Sequence, residues 1–252
     1  MGDAPQQPTA AGLAAAIDAA GDPDDARFLQ RFFKTAPGEY GEGDVFVGVR
    51  VPATRAIVRR FERMPQTEAS ALLASPVHEH RLAALLVMVR QFEAASRPRT
   101  RDDPARVVLH LAYLDAVRAG RVNNWDLVDS SAEVLVGEVL REAGRGDDPL
   151  LDERAASASL WERRVAVLAT FAFIKAGDPG PTLRLAPRLL DDREDLMHKA
   201  VGWMLREVGK RVDRAALTDF LDEYAARMPR TMLSYATEHL EPDERAAYRA
   251  MR

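Results

Sequence analysis

Trp125 and Asp129 stand four residues apart in the stretch NNWDLVDSSAEVLVG, Asn123–Gly137. At about 100° per residue, a helix here sets Trp125, Asp129, Ala132 and Val136 on one stripe. A carboxylate then lies in an apolar lane, one turn from an indole. Such an acid can be structural. A carboxylate near a helix N-terminus gains from the dipole, and SSAE (Ser130–Glu133) has the spacing of a capping box, which would start the helix at Ser130 and leave Asp129 outside it. It can also be chemical, a negative charge held beside an aromatic face. No serine–histidine or paired-carboxylate arrangement at useful spacing competes for a catalytic role. Chemistry on this chain has to run on one acid.

Two further stretches carry a residue out of place. In EDLMHKAVGWMLREVGKR (Glu194–Arg211) the apolar stripe is Met197, Val201, Met204, Leu205 and Val208. Lys199, Trp203, Arg206 and Lys210 follow helical spacing on the other side. That side is either a cationic, aromatic surface suited to a phosphodiester backbone, or a tryptophan covered by long basic stems or by the next helices. LWERRVAVLATFAFIKAG (Leu160–Gly177) is apolar nearly all round, as a central buried helix is. Arg164 shares a face there with Leu168, Phe171 and Lys175, and a buried guanidinium needs an anion. A neighbouring Asp or Glu would serve, and so would a ligand phosphate held bidentately.

The elements that position these residues read as helices almost throughout. Helical periodicity runs near 9–19, 23–34, 65–75, 78–92, 104–119, 124–140, 149–157, 160–176, 181–190, 194–211, 213–227 and 230–239, and PATRAIVRRFER opens on Pro52. Alternation occurs only in DVFVGVRVP (Asp44–Pro52), too short to found a sheet. The breaks AGRGDDP, AGDPGP and LEPD are short, and PGEYGEGD (Pro37–Asp44) is the conspicuous loop. HRLAALLVM, RRVAVLATF and HKAVGWMLR begin at positions 80, 163 and 198, offsets of 83 and 35 residues. These approach two repeats and one repeat of a HEAT-like array, whose period is about 40 residues. The expectation is a single all-α domain over 1–252, a HEAT-like α-solenoid with a concave basic face.

Composition removes whole classes of function. With 252 residues and no cysteine, disulfides, thiolate zinc sites and cysteine nucleophiles are excluded. The five histidines are scattered apart from His78 and His80, whose spacing does not suit a ligand face, so no metal is expected. A net charge of −4 gives no global sign of nucleic-acid binding, so any such binding must rest on one locally basic face. No apolar run approaches the ~20 residues that span a bilayer. The start MGDAPQQPTA lacks signal-peptide regions, and Gln6 breaks the myristoylation pattern. A cytoplasmic, nucleoid-associated protein is expected.

The stretches singled out above resemble, in order, the motifs of the bacterial alkylpurine DNA glycosylases built from HEAT-like repeats, the AlkD family. NWDLVDS is similar to the segment carrying that family's tryptophan and catalytic aspartate, here Trp125 and Asp129. WERRVAV is similar to the segment that contacts the DNA backbone through Arg164, with Arg163 beside it. HKAVGWMLREVGK resembles the segment with the second active-site tryptophan, here Trp203. The likeness runs from about Arg31 to Leu240, and PGEYGEGD looks like an insertion relative to the best-known members.

The resemblance implies a monofunctional glycosylase acting on cationic N3- or N7-alkylated purines in double-stranded DNA, as a monomer without metal or cofactor. Trp125 and Trp203 would pack on the deoxyribose, and Asp129 would stabilise an oxocarbenium-like sugar and position water. Arg163, Arg164, Lys199, Arg206, Lys210 and Arg230 would hold phosphates. The lesion would stay stacked, unlike the usual flipping into a pocket. Two other readings stay open: a DNA-lesion or DNA-structure binder without turnover, and a protein–protein scaffold.

Overall fold

The computed structural model describes residues 7–251. The start read for targeting signals falls partly outside them. Among the described residues the fold is all-helical, and the Asp44–Pro52 alternation yields one isolated parallel bridge, Val45 with Val77, instead of a strand. The chain divides into two compact units, Met1–Ser131 and Ala132–Arg252.

The first unit contains α1 (Ala10–Asp18), α2 (Pro23–Gln30), α3 (Val51–Val58), α4 (Gln66–Leu72), α5 (His78–Ser96), α6 (Asp103–Arg118) and α7 (Trp125–Asp129). Several starts follow from sequence. Asp22, Asp102 and Asn124 each accept a backbone N–H of the first turn, and Pro23 supplies the preset φ of a first helical position. α5 is the core, packed by α1, α3, α4, α6 and α7. Its aliphatic run from Leu82 to Val89 is buried on every side, which explains why it shows no polar face. Its first four residues, His78, Glu79, His80 and Arg81, are buried too. Each must therefore find a partner, because an unpaired buried polar group is costly.

The second unit opens on a π-helical turn (Glu133–Gly137) that runs into α8 (Glu138–Glu142). It continues with α9 (Pro149–Ala155), α10 (Leu160–Ala169), α11 (Phe171–Lys175), α12 (Gly180–Leu185), α13 (Asp195–Arg211), α14 (Arg214–Tyr224), α15 (Arg230–Ala236) and α16 (Pro242–Ala250). α13 is the core here, against α10, α11, α14 and above all α15. Gly202 makes that last approach possible. A Cβ on it would lie 2.4 Å from the Met232 carbonyl oxygen and 2.7 Å from the Tyr235 Cβ. Gly202→Ala should cost about 1–3 kcal/mol by forcing the pair apart, read as a lower urea midpoint.

Two expectations about elements need correction, and one element is added. The helix expected over 124–140 is interrupted at Ser130–Ser131 and resumes with a π turn. The Ser131 hydroxyl donates to the Leu127 carbonyl at 2.6 Å, a back-bond that bends helices. The helix expected over 160–176 breaks at Thr170, whose hydroxyl donates to the Val167 carbonyl at 2.7 Å and meets that of Thr182 at 2.8 Å. The added element is α16, which begins at Pro242 within LEPD and is closed at its start by a capping box between Glu241 and Glu244.

Candidate active site

α7 is five residues long, too short to persist unaided. It begins because the Asn124 side-chain oxygen accepts the Trp125 N–H at 2.9 Å, and it is anchored by the buried Leu127 and Val128. Asp129 is its last residue. It is therefore inside the helix and at the end where the dipole disfavours a carboxylate. The N-terminal dipole does not describe its place in α7, while the helical segment that resumes after Ser130–Ser131 does leave Asp129 outside it. Asp129 is half-buried, and its charge reaches the buried Tyr113 hydroxyl. Burial pushes that phenol well above its usual range, Ser131 opposes the shift, and the negative Asp129 adds to it.

Trp125 is half-buried and stacks on Phe33, with ring centroids 5.4 Å apart at 17°. Phe33 in turn packs against Phe46 (5.0 Å) and His78 (4.8 Å). Below the rings lies a polar cluster. His78 Nε2 is 2.8 Å from Asp126 of α7, and its Nδ1 is 3.4 Å from Asp44, the last residue of the glycine-rich loop. Asp44 also accepts from Arg81 at 2.6 Å and from the Asn124 amide at 3.1 Å, and Arg81 donates to Asn123 at 2.6 Å. The bridge of Val45 to Val77 docks the loop at the head of α5.

The cluster is charged. Burial, the largest influence on His78, works against its proton, but Asp126 and Asp44 outweigh burial and raise the imidazole from 6.5 to about 9. Burial likewise works against the Asp44 charge, and His78 and Arg81 overcome it, holding the carboxyl below its usual value. A group whose proton is held more tightly in the folded chain stabilises fully below its unfolded value, here near 6.5, and loses that contribution as pH rises through about 9. The contribution is on the order of 3 kcal/mol. Urea midpoints should therefore fall between pH 7 and pH 10 in the wild type, and more shallowly in His78→Gln.

In the second unit Trp203 is half-buried and tilted against Phe171, with centroids 5.9 Å apart. Two cations lie over the Phe171 ring, Lys175 at 4.6 Å and Arg211 at 5.4 Å. The basic residues expected on this helix face are found there, but three of those picked out in this unit are already paired. Lys199 binds Asp195 at 2.8 Å, Arg206 binds Glu207 at 3.0 Å as well as Glu238, and Arg163 binds Asp192 at 2.7 Å. A phosphate reaching them must displace or share a carboxylate. Lys210 is exposed. Arg164 is buried and donates to the Leu196 carbonyl at the start of α13, so a backbone oxygen supplies at least part of the acceptor the sequence demanded. Arg230 donates to the Arg249 carbonyl at 2.9 Å, at the edge of an open depression of about 380 Å³.

Residues 13–240 match the DNA alkylation repair enzyme family. The chain belongs to that family. A solved structure named "Predicted DNA alkylation repair enzyme from Enterococcus faecalis" is similar in fold, with a TM-score of 0.68 at 15% identity over 88% of this chain and 97% of the other. No protein of curated function matches. The family assigns this chain a role as an enzyme of DNA alkylation repair, with DNA as its substrate, on an all-α scaffold of the HEAT-like class. No described helix is long and apolar enough to cross a membrane.

Within the family frame the structure joins Trp125 to Asp129 on α7, and Lys199, Trp203, Arg206 and Lys210 on α13. Sequence reasoning missed what surrounds them: Phe33, Asp44, His78, Arg81, Asp126 and Tyr113 in the first unit, and Phe171, Lys175 and Arg211 in the second. One signal was available. HEHR opens a helix whose continuation is apolar on all sides, so those four polar residues had to be buried and partnered.

Proposed function

We propose that this enzyme is a DNA glycosylase that hydrolyses the N-glycosidic bond of purines made cationic by alkylation at N3 or N7. The observation that supports this best is Asp129: a half-buried carboxylate at the unfavourable end of α7, on the same short helix as Trp125. A half-buried carboxylate on the same short helix as a part-exposed indole is the arrangement that chemistry on a developing cation needs.

As the glycosidic bond breaks, its electron pair returns to the purine nitrogen and neutralises the cation there, so the leaving group needs no strong acid. Positive charge develops on the deoxyribose, which Asp129 stabilises at close range. Water adds at C1′ and gives up a proton, which is assigned to Asp129. The indole of Trp125, fixed by Phe33, offers its face to the same cationic sugar, and Trp203 is assigned a like contact. Arg163, Arg164, Lys199, Arg206, Lys210 and Arg230 are assigned to phosphates.

The deciding experiment is chromatography of base released from methylated duplex DNA. Release of 3-methyladenine or 7-methylguanine supports the glycosylase. Intact binding without release points to a lesion binder, and no binding points to a scaffold. Lys210→Ala should leave stability within about 0.5 kcal/mol and lower the slope of log affinity against log salt by about 0.9, as measured by fluorescence anisotropy across a salt series.

A further inference from the structure

The polar cluster at the head of α5 does more than satisfy buried groups. α7 is too short to orient itself, and its chain breaks at Ser130–Ser131 immediately afterwards. Its direction is set by what holds its first turn. Two side chains there are gripped: Asn124, whose amide donates to Asp44, and Asp126, which meets His78 at 2.8 Å. The other Asp126 oxygen is buried and has no hydrogen-bond partner among the described residues. His78 is thus the hydrogen-bond partner the structure gives that carboxylate. One face of the His78 ring packs on Phe46 and the ring also touches Phe33, which carries Trp125. One imidazole touches both the backing of Trp125 and the first turn of the helix that ends in Asp129.

We propose that His78 is a positioning residue for base excision: held between Asp44 of the glycine-rich loop and Asp126 of α7, it sets the direction of α7 and with it Trp125 and Asp129. This rests on the glycosylase reading above for its catalytic consequence, but not for its geometry. The charged groups facing the ring are Asp44 from the loop, Asp126 from α7 and Arg81 from the next turn of α5. With His78 removed, Asp126 is left buried without a donor and the first turn of α7 must move to find one. Displacements of about 1 Å at a reacting centre cost on the order of 10²-fold in rate.

The test uses the full chain labelled with 5-fluorotryptophan. Its three tryptophans give three fluorine resonances, and Trp125→Phe assigns one of them. His78→Ala should shift or broaden the Trp125 resonance while leaving those of Trp161 and Trp203 in place. In single-turnover assays it should slow base release by about 10- to 100-fold with duplex affinity within about threefold. His78→Gln, which keeps a donor for Asp126, should recover part of both. A merely structural histidine would lower the melting temperature and leave the resonance and the rate per folded molecule unchanged, and that result overturns the proposal. If His78→Ala does not fold, His78→Gln carries the test, because its amide lacks the imidazole's second contact to Asp44. A Trp125 resonance and a rate per folded molecule in His78→Gln identical to those of wild type overturn the proposal. Absence of base release by wild type would refute the glycosylase reading alone, because the resonances report on α7 without any turnover.

Discussion

Asp129→Asn should slow base release from methylated duplex DNA by at least ~100-fold, the scale of losing one well-placed electrostatic contact worth about 3 kcal/mol. Duplex affinity should stay within about threefold of wild type. Asparagine has nearly the shape of aspartate, so the change removes charge while keeping volume. The site makes the experiment unusually clean. Asp129 closes α7 at its C-terminal end and raises the already unfavourable ionisation of Tyr113. The change is nearly isosteric, so the variant's stability should stay within about 1 kcal/mol of wild type. Loss of activity with the fold and the binding intact is the signature of a residue kept for function. Binding that falls in step with release would instead assign Asp129 to DNA docking, and the proposed chemistry would have to be abandoned.

Glu79→Ala should be the most damaging change to the first unit, costing about 4 kcal/mol or more. The Glu79 carboxylate is buried at the head of α5 and accepts three consecutive backbone N–H groups: Val47 at 3.1 Å, Gly48 at 2.8 Å and Val49 at 3.3 Å. The segment can aim three donors at one anion because Gly48 adopts φ +85, a left-handed conformation that favours glycine. Gly48 also faces a crowded neighbour, since a Cβ there would lie 1.9 Å from the Asp22 carbonyl oxygen. Alanine at 79 leaves these buried donors without an acceptor, at about 1–3 kcal/mol each. Glu79→Gln keeps one acceptor oxygen and should cost less, about 1–2 kcal/mol. Urea unfolding of the three proteins gives the comparison. An alanine variant within about 1 kcal/mol of wild type would mean that the 47–49 segment finds its partners elsewhere.

What the sequence made legible was local. α13 was expected over 194–211 and spans Asp195–Arg211, because its apolar stripe and its basic stripe both keep the helical period. Trp125 and Asp129 could be put on one helix because they are four residues apart, about one helical turn. The break at Ser130–Ser131 escaped because its cause is a side chain bonding back to its own helix beside Tyr113, which lies 18 residues earlier. Nothing in the local pattern distinguishes such a serine from an exposed one. The cluster behind Trp125 escaped for a stronger form of the same reason. His78 and Asp126 are 48 residues apart, and Asn124 and Asp44 are 80 apart. No periodicity links them. The C-terminal helix α16 was passed over because it is largely polar, with Tyr248 as its one buried side chain, so it carries almost no apolar stripe to read.

The glycine-rich loop has a consequence on an evolutionary scale. Its last residue, Asp44, is the shared counter-charge of His78 and Arg81 and the acceptor for Asn124. A lineage that shortens the loop and loses that carboxylate leaves Arg81 without its counter-charge, His78 with Asp126 alone and the Asn124 amide without its acceptor, a state selection would not tolerate for long. Loop length and the identities at 78, 81 and 124 should therefore be inherited as a block. Any relative with a shorter loop should carry apolar or differently paired residues at these positions, and grafting the loop alone into such a relative should fail unless the block travels with it.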